Sequence, residues 1–294
     1  MNKLVHQLMI LLSIMFIGIS VSINAEESKN YSVQQRIIAK GLKSKKIIYH
    51  DKNKFGDVFV VENKNKRCMT FDPQCHRMQS CIDLNNPNYI IFKYIKIIMS
   101  SLFLTNTPPK DILIVGAGCG MLGNIMNKII PTAKINMVEI NPLVIKIAKK
   151  YFNFKTNENI NVKIMDGYKF IMNSPAAKYD LVILDVSSKD YTPKKFLTVK
   201  LVENVKRILK NGGVVAVNTQ LNSSYSEIHN SIYSEVFGEY KDVIIVKNRL
   251  IFTKNGTFPD CTYIVNNALH YKSDFALFNV STNWILDKIK GSFQ

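Results

Sequence analysis

The sequence predicts an α/β fold: a seven-stranded, mostly parallel sheet, preceded by a small N-terminal antiparallel β domain. The first observation is the alternation of strand and helix patterns from Asp111 onward, because such alternation is typical of parallel sheets covered by helices. The second is the run DILIV at 111–115, in which residues 112–115 are all apolar, as in a strand buried on both faces. The third is a series of short β patterns between Ile47 and about Leu84, separated by turn-forming residues.

A targeting segment is predicted at the start of the chain. Residues 1–25 hold one early lysine, an apolar stretch and Ala25 in a position suited to cleavage, which is the pattern of a secretory signal peptide. An uncleaved signal anchor is the alternative, although the apolar stretch is shorter than the ~20 residues of a membrane span. We expect a secreted protein, or one in the secretory pathway, with no membrane attachment after cleavage.

Residues 26–108 are predicted to form the N-terminal β-rich domain. An apolar-periodic segment over 89–104 predicts a helix that Asn88 caps. The Pro-Pro pair at 108–109 ends this helix and marks the domain boundary. The strands predicted before the helix cover 46–49, 57–62, 67–71 and 78–82.

Residues 109–294 are predicted to form the α/β domain. Apolar runs indicate its strands, and apolar residues that recur every three to four positions indicate its helices. The predicted strands cover 111–115, 134–140, 161–165, 179–185, 214–219, 242–247 and 250–253. The first predicted helix follows the glycine-rich loop and ends at 130. The others cover 143–151, 167–173, 197–210, 224–237 and 282–289, and Asn-Gly-Gly at 211–213 ends the helix at 197–210.

A glycine-rich loop follows the first strand of the α/β domain. It reads VGAGCGMLG from Val115, so that Gly116, Gly118 and Gly120 form a GxGxG pattern. Glycines let the backbone turn tightly and approach a bound cofactor without a Cβ in between. We predict that these three glycines bind the cofactor.

An acidic residue lies at the end of each of the next three strands, or directly after it. Glu139 lies 21 residues beyond Gly118, where a carboxylate accepts hydrogen bonds from the ribose hydroxyls of a nucleoside cofactor. The pair Asp166-Gly167 is predicted to bind the cofactor too, with the carboxylate accepting a hydrogen bond from an adenine amino group. Asp185 ends the fourth strand. Because ligands of open α/β sheets bind beyond the carboxyl ends of strands, we expect all these residues in one site.

The charge of this site separates two nucleoside cofactors. S-adenosylmethionine carries a sulfonium cation and no phosphate, whereas NAD carries a pyrophosphate. Carboxylates attract the sulfonium and repel the pyrophosphate, and the glycine loop contains no basic residue to hold a phosphate. The sequence therefore favours S-adenosylmethionine, or its decarboxylated form, over NAD.

From about Ile47 to Gln220 the chain resembles the spermidine-synthase-like group of class I S-adenosylmethionine-dependent methyltransferases. The resemblance implies a small N-terminal β domain followed by a Rossmann-like methyltransferase fold. It is also compatible with a homodimer. Within the group the chain is more similar to the C-terminal domain of methyltransferase-like protein 13, which implies methylation of a protein amino group. The motifs that carry the resemblance are NNPNY at 85–89, VGAGCG at 115–120, VEIN at 138–141, Asp166-Gly167, YDLVILD at 179–185 and DVSSKD at 185–190.

Departures from the aminopropyltransferases of that group bear on the reaction. The resemblance implies an Asp in the glycine loop that holds the substrate amine, and this position is Cys119. The DSSD motif of those enzymes corresponds to DVSSKD here, which keeps Asp185 and displaces or loses the second acid. Fewer acids remain to hold a polyamine cation, so we predict first a methyltransferase acting on an amine of a small molecule or a protein. Aminopropyl transfer from decarboxylated S-adenosylmethionine is the second prediction, and an inactive secreted binding module on the same fold is the third.

Asp185 is the predicted catalytic residue. It would orient the acceptor amine or help to remove its proton, while Glu139 holds the ribose and Asp166 holds the adenine edge. Asp190 and Tyr191, in the loop that follows, are further candidates for the acceptor side of the site.

Other partners and other site chemistry are not predicted. The net charge is +17 over 294 residues, but the lysines are spread along the chain without an RNA-binding signature, so we expect no specific nucleic-acid partner. The sequence has no CxxC pair and no histidine spacing typical of metal ligands, so we expect no metal site. One disulfide among Cys68, Cys75 and Cys81 would suit a secreted chain.

Overall fold

The computed structural model describes residues 45–75, 77–186, 193–221 and 225–293. The predicted signal peptide and two acceptor-side candidates, Asp190 and Tyr191, lie outside these residues. The described residues form a four-stranded sheet and a seven-stranded sheet, with helices on the larger one. The predicted α/β class and the small antiparallel sheet in front of it are confirmed.

Strands and helices alternate along the chain in the predicted order, with differences at their ends. The small sheet contains β1 (Lys46–Asn53), β2 (Gly56–Asn63), β3 (Lys66–Thr70) and β4 (Ser80–Asp83). The large sheet contains β5 (Asp111–Val115), β6 (Lys134–Glu139), β7 (Ile160–Ile164), β8 (Tyr179–Leu184), β9 (Leu209–Gln220), β10 (Tyr240–Ile245) and β11 (Asn248–Lys254). The α-helices are α1 (Lys93–Ile98), α2 (Met121–Ile129), α3 (Pro142–Tyr151), α4 (Gly167–Asn173), α5 (Val199–Ile208), α6 (Ser226–Phe237), α7 (Cys261–His270), α8 (Lys272–Ala276) and α9 (Thr282–Phe293). Segments of 3₁₀-helix cover Met99–Leu104 and Lys194–Phe196.

The large sheet has the strand order β10-β11-β9-β8-β5-β6-β7. Strands β5 to β9 run parallel, whereas β11 pairs antiparallel with both β9 and β10. The direction in which successive strands are added reverses between β5 and β8. Strands β6 and β7 are added on one side of β5, and the later strands are added on the other side. Ligands of open α/β sheets bind at such a switch point. The loops that follow β5 and β8 flank it here.

Residues 112–115 of the run DILIV are all apolar because helices cover both faces of β5. Side chains of a strand alternate between the two faces of the sheet. Leu113 and Val115 pack in one buried cluster with residues of α5, whereas Ile112 and Ile114 pack in another with residues of α2. Both faces of the strand therefore contribute to a core.

The small sheet packs beside the glycine loop. Val58 and Met69 form an apolar cluster with Cys119 of that loop and with Val144 of α3. The Oγ of Ser80, at the start of β4, accepts a hydrogen bond of 3.1 Å from the backbone N–H of Cys119. The small sheet thereby forms one wall of the space above the glycine loop.

The predicted helix over 89–104 is wrong at its start. The helix begins at Lys93, and Asn88 does not cap it, because the backbone is still extended at Phe92. The preceding residues close a turn instead, in which the N–H of Tyr89 donates a hydrogen bond of 2.9 Å to the carbonyl oxygen of Asn86. From Met99 the segment continues in 3₁₀ geometry.

The prediction for residues 211–213 is also wrong. This Asn-Gly-Gly sequence lies within β9 rather than at the end of a helix. The N–H of Gly212 donates to the carbonyl oxygen of Asn255 at 2.7 Å, and the N–H of Asn255 donates to Gly213 at 2.8 Å. These hydrogen bonds hold residues 211–213 against the segment after β11, and Gly212, with a φ of +77°, lies in the irregular part of β9 between Leu209 and Val214. Helices α7 and α8 were not assigned from the sequence.

A disulfide joins Cys68 of β3 to Cys81 of β4, which lie directly opposite each other in the antiparallel pair. One bridge among the three nearby cysteines therefore forms, and Cys75 remains a buried thiol. Within the described residues, no helix combines the length and the apolar character needed to cross a bilayer.

Candidate functional site

A cleft of about 1090 Å³ opens where the large sheet meets the small one. It lies beyond the carboxyl ends of β5, β6 and β8, at the switch point of the large sheet. Gly120 does not line the cleft; a Cβ at this position would lie 2.2 Å from the ring of Phe154. The other predicted site residues all line it, namely Gly116, Gly118, Glu139, Asp166, Gly167 and Asp185.

Gly116 brings the glycine loop against the end of β8. Its φ is +95°, and a Cβ at this position would lie 2.1 Å from the backbone carbonyl oxygen of Asp185. The N–H of Asp185 donates a hydrogen bond of 2.9 Å to the carbonyl oxygen of Val115. Only a residue without a side chain allows this contact, so Gly116 sets the distance between the loop and Asp185.

Backbone N–H groups hold the carboxylate of Glu139 at the end of β6. Its Oε2 accepts a hydrogen bond of 3.1 Å from Ala117, and its Oε1 accepts one of 2.9 Å from Asn141. Burial raises the pKa of Glu139, although the backbone hydrogen bonds oppose the shift. Each carboxylate oxygen has a second lone pair, so Glu139 can also accept hydrogen bonds from a ligand with two adjacent hydroxyls.

Asp166 has two partners in the structure. Its Oδ1 accepts a hydrogen bond of 2.9 Å from the N–H of Tyr168 and so caps α4. Its Oδ2 forms an ion pair with Nζ of Lys195. Burial acts to raise the pKa of Asp166, but the hydrogen bond and the charge of Lys195, together with backbone hydrogen bonds, outweigh it and the pKa lies below its usual value. The sequence analysis missed Lys195, because 29 positions separate it from Asp166 and no motif surrounds it.

Asp185 is the centre of a polar network at the other end of the cleft. Its Oδ2 accepts a hydrogen bond of 3.1 Å from the hydroxyl of Tyr94, and its Oδ1 accepts one of 2.8 Å from Nδ2 of Asn218. Asn218 in turn accepts a hydrogen bond of 2.8 Å from Nδ2 of Asn248. Burial raises the pKa of Asp185, while the bonds from Asn218 and Tyr94 lower it in part.

The protonation of Tyr94 follows from its surroundings. Burial, together with the negative charge of Asp185, raises the pKa of Tyr94 well above its usual value. The phenol therefore stays protonated and donates its hydrogen bond. Asn218 and Asn248, which the sequence analysis did not single out, lie at the end of β9 and the start of β11. Asp185 was singled out because it is a polar residue at the end of a strand, on the edge of the sheet where ligands bind. The same reasoning applied to β9 identifies Asn218.

The charges that line the cleft are balanced. Among the described residues of its lining, the carboxylates belong to Glu139, Asp166 and Asp185. The basic side chains of that lining are those of Arg77, Lys195 and Lys247. Burial raises the pKa of Cys119, so this glycine-loop residue adds a neutral thiol. Within the described part of the chain, no group of His, Cys, Asp and Glu side chains is arranged to hold a metal ion.

Known proteins resemble this chain in both sequence and fold. Residues 91–259 match the family model of the spermine/spermidine synthase domain. The polyamine aminopropyltransferase of Vibrio vulnificus (strain CMCP6) is 30% identical over 222 residues, which cover 73% of this chain and 74% of the relative. The eEF1A lysine and N-terminal methyltransferase homolog of Drosophila melanogaster is 33% identical over 117 residues, which cover 37% of this chain and 17% of that protein.

A solved structure supports the same fold. Human methyltransferase-like protein 13, in complex with SAH, matches with a TM-score of 0.59 over 63% of this chain and 93% of that one. At 22% sequence identity this likeness shows the fold alone. The predicted Rossmann-like methyltransferase fold is confirmed.

Proposed function

Because the chain belongs to the spermine/spermidine synthase family, we propose that it is a transferase that moves the methyl group of S-adenosylmethionine to an amine. The observation that carries this proposal is the Asp185 carboxylate, which lies against the glycine loop and is held by Tyr94 and Asn218. A carboxylate whose pKa burial has raised is a suitable acceptor for the proton of an amine.

The residues of the cleft fit S-adenosylmethionine by their chemistry. Glu139 would accept hydrogen bonds from the ribose hydroxyls, and Asp166 would accept one from the adenine amino group. The backbone at Gly116 and Gly118 would run beside the methionine portion. The cofactor, when bound, supplies an electrophilic methyl group on a sulfonium, which suits a cleft that holds carboxylates and has no cation in its glycine loop.

The residues around Asp185 prepare the acceptor amine. An ammonium group must lose its proton before its nitrogen becomes a nucleophile. Asp185 orients the ammonium through a carboxylate oxygen and accepts that proton, either directly or through a water molecule. Tyr94 keeps its own proton and steadies the Oδ2 atom, while Asn218, anchored by Asn248, steadies the Oδ1 atom.

Two residues favour a single amine over a polyamine as the acceptor. Cys119 contributes a neutral thiol in the glycine loop, where a carboxylate would attract a second ammonium group. Lys247, in the turn between β10 and β11, places a positive charge in the lining next to Asn248. A polyamine carries several positive charges, so these residues oppose its binding.

Aminopropyl transfer is the second candidate function. The Vibrio vulnificus relative is a polyamine aminopropyltransferase, and the match covers 74% of its length. The same cleft residues would then bind decarboxylated S-adenosylmethionine, and Asp185 would prepare a polyamine. The choice between the two candidates depends on the cofactor and on the acceptor.

We also propose that residues 1–25 direct the chain into the secretory pathway. The Cys68–Cys81 disulfide supports this proposal, because structural disulfides persist mainly in oxidising compartments. Fractionation of cells that produce the full chain would test it. Protein found only in the cytosol, with residues 1–25 retained, would contradict it.

Calorimetric titration of the full-length chain with S-adenosylmethionine, decarboxylated S-adenosylmethionine and NAD tests the function. We expect S-adenosylmethionine to bind most tightly, and radiolabelled methyl groups from it to appear on an amine acceptor. Preference for the decarboxylated form would favour aminopropyl transfer. Failure of a folded sample to bind either form would contradict both functions and favour a non-catalytic binding role.

A matched pair of variants controls this titration. Glu139→Gln removes the carboxylate charge at the predicted ribose site and should weaken binding of both adenosyl compounds. Glu158→Gln makes the same change at an exposed position before β7 and should leave binding unchanged. Equal effects of the two variants would argue against binding at this cleft.

A further inference from the structure

We propose that Lys195 is a specificity-determining residue, which recognises the adenine base together with Asp166. This role rests on the proposed use of an adenosyl cofactor and extends it to a residue that the sequence motifs do not contain. The two side chains form an ion pair in the lining of the cleft. The side chain of Lys195 is 40% exposed and that of Asp166 is 24% exposed, and both residues line the cleft.

Rigid neighbours hold both members of the pair in place. Asp166 is the N-cap of α4, where the N–H of Tyr168 binds its Oδ1. The residue after Lys195 is Phe196, whose ring is buried in the same cluster as Val115. Lys195 is therefore anchored by a core residue, and Asp166 by a helix end.

The pair presents a hydrogen-bond donor beside an acceptor. A lysine ammonium has three N–H donors, and Asp166 takes one of those of Lys195. The carboxylate of Asp166 keeps lone pairs beyond the ones used by Lys195 and Tyr168. An N–H of Lys195 and an oxygen of Asp166 can therefore bind two adjacent groups of one ligand.

Adenine has the complementary pattern on one edge. Its N6 amino group donates a hydrogen bond, and the neighbouring N1 atom accepts one. Asp166 would bind N6, and Lys195 would bind N1. Hypoxanthine carries an acceptor at O6 and a donor at N1, so both contacts would become repulsive. The pair should select adenine and reject hypoxanthine.

The ion pair also limits the repulsion between Lys195 and a positively charged cofactor. A lone lysine in this cleft would repel a cofactor that carries a sulfonium. Paired with Asp166, Lys195 adds a donor without adding net charge. If Lys195 instead competes with the adenine base for the carboxylate of Asp166, replacement of Lys195 would tighten cofactor binding.

The test compares two adjacent lysines in the full-length chain. Lys195→Met removes the donor, and Lys194→Met makes the same change at the exposed neighbouring residue in the same 3₁₀ segment. Each protein is titrated with S-adenosylhomocysteine and with S-inosylhomocysteine, which carries hypoxanthine. Thermal melting checks that each variant is folded. If Lys195→Met is not folded, Lys195→Gln takes its place.

We expect Lys195→Met to weaken S-adenosylhomocysteine binding about tenfold, as for the loss of a hydrogen bond to a charged group. Binding of the inosyl compound should stay the same or tighten, because Lys195 no longer repels its N1–H, so the preference for adenine should fall. Lys194→Met should behave as the unmodified chain does. Unchanged or tighter binding of S-adenosylhomocysteine by Lys195→Met would overturn the inference.

The result also separates this inference from the proposed function. A chain that selects adenine through Lys195 but transfers no methyl group would contradict only the proposed function. A chain that transfers methyl groups with the same base preference in Lys195→Met would overturn only the role of Lys195. A folded chain that binds neither compound would overturn both.

Discussion

The hydroxyl of Tyr94 donates a hydrogen bond of 3.1 Å to Oδ2 of Asp185, although 91 positions separate the two residues in the sequence. Tyr94 belongs to α1, which follows the small sheet, and Asp185 follows β8 of the large sheet. The contact joins two parts of the chain at the switch point. Since burial raises the pKa of each group, their protonation offers a direct test of the proposed chemistry.

Replacement of Asp185 by Asn should lower kcat about 100-fold or more, because an amide cannot accept the proton of the acceptor amine. The affinity for S-adenosylhomocysteine should stay nearly unchanged, since the predicted ribose and adenine contacts lie elsewhere in the cleft. Steady-state kinetics and calorimetric titration measure the two effects. Asp287→Asn, at a 69% exposed side chain on α9, is the matched control. An unchanged kcat in Asp185→Asn would remove Asp185 from the catalytic role.

Replacement of Tyr94 by Phe should shift the acid side of the pH–kcat profile to higher pH. The Tyr94 hydrogen bond lowers the pKa of Asp185, so its loss lets that pKa rise further. Asp185 acts only when it is deprotonated, and a higher pKa therefore requires a higher pH for activity. Tyr89→Phe changes a tyrosine that is 40% exposed and should leave the profile in place. A shift to lower pH in Tyr94→Phe would contradict this account.

Two glycine-to-alanine changes should have opposite effects on the free energy of unfolding. Gly116→Ala should lower it by about 3 kcal/mol or more, because φ is +95° and the Cβ would meet the carbonyl oxygen of Asp185. Gly291→Ala, in α9, has no atom within 4 Å of the new Cβ. It should raise the free energy by about 0.5–1 kcal/mol, because alanine is the better helix former. Urea unfolding measures both, and equal effects would refute the steric argument.

His229 should make the protein less stable in mild acid. Burial, with a contribution from Arg249, lowers the pKa of His229 from 6.5 to about 4. Between these values the unfolded chain binds the proton and the folded chain does not, so stability falls as pH falls through this window. The contribution of this group at pH 5 should be a loss of about 2 kcal/mol relative to pH 7.5.

Urea unfolding of the His229→Phe variant at both pH values measures this contribution. The phenyl ring cannot titrate, so the variant should lose less stability than the unmodified chain between pH 7.5 and 5. His270→Phe changes an exposed histidine at the end of α7 and serves as the control. The same pH dependence in His229→Phe and the unmodified chain would show that His229 is not responsible.

The predicted cofactor residues were accessible to sequence analysis because they follow strands. An apolar run ends at the edge of a parallel sheet, and the next polar residue faces the ligand, which identified Glu139, Asp166 and Asp185. Gly120 shows the limit of this reasoning, because it matches the glycine pattern but packs against Phe154 instead of lining the cleft. Local spacing alone does not distinguish a glycine that admits a ligand from one that admits a neighbouring ring.

The sequence by itself determined the order of strands and helices, the glycine loop and the acids at the strand ends, because each depends on residues close together along the chain. Only the tertiary structure decided that Tyr94 and Asn218 hold Asp185, and that Lys195 pairs with Asp166. Those contacts join residues 29 to 91 positions apart. Such residues meet only once the strand order and the packing of the small sheet are set, and no local pattern of side chains encodes that arrangement.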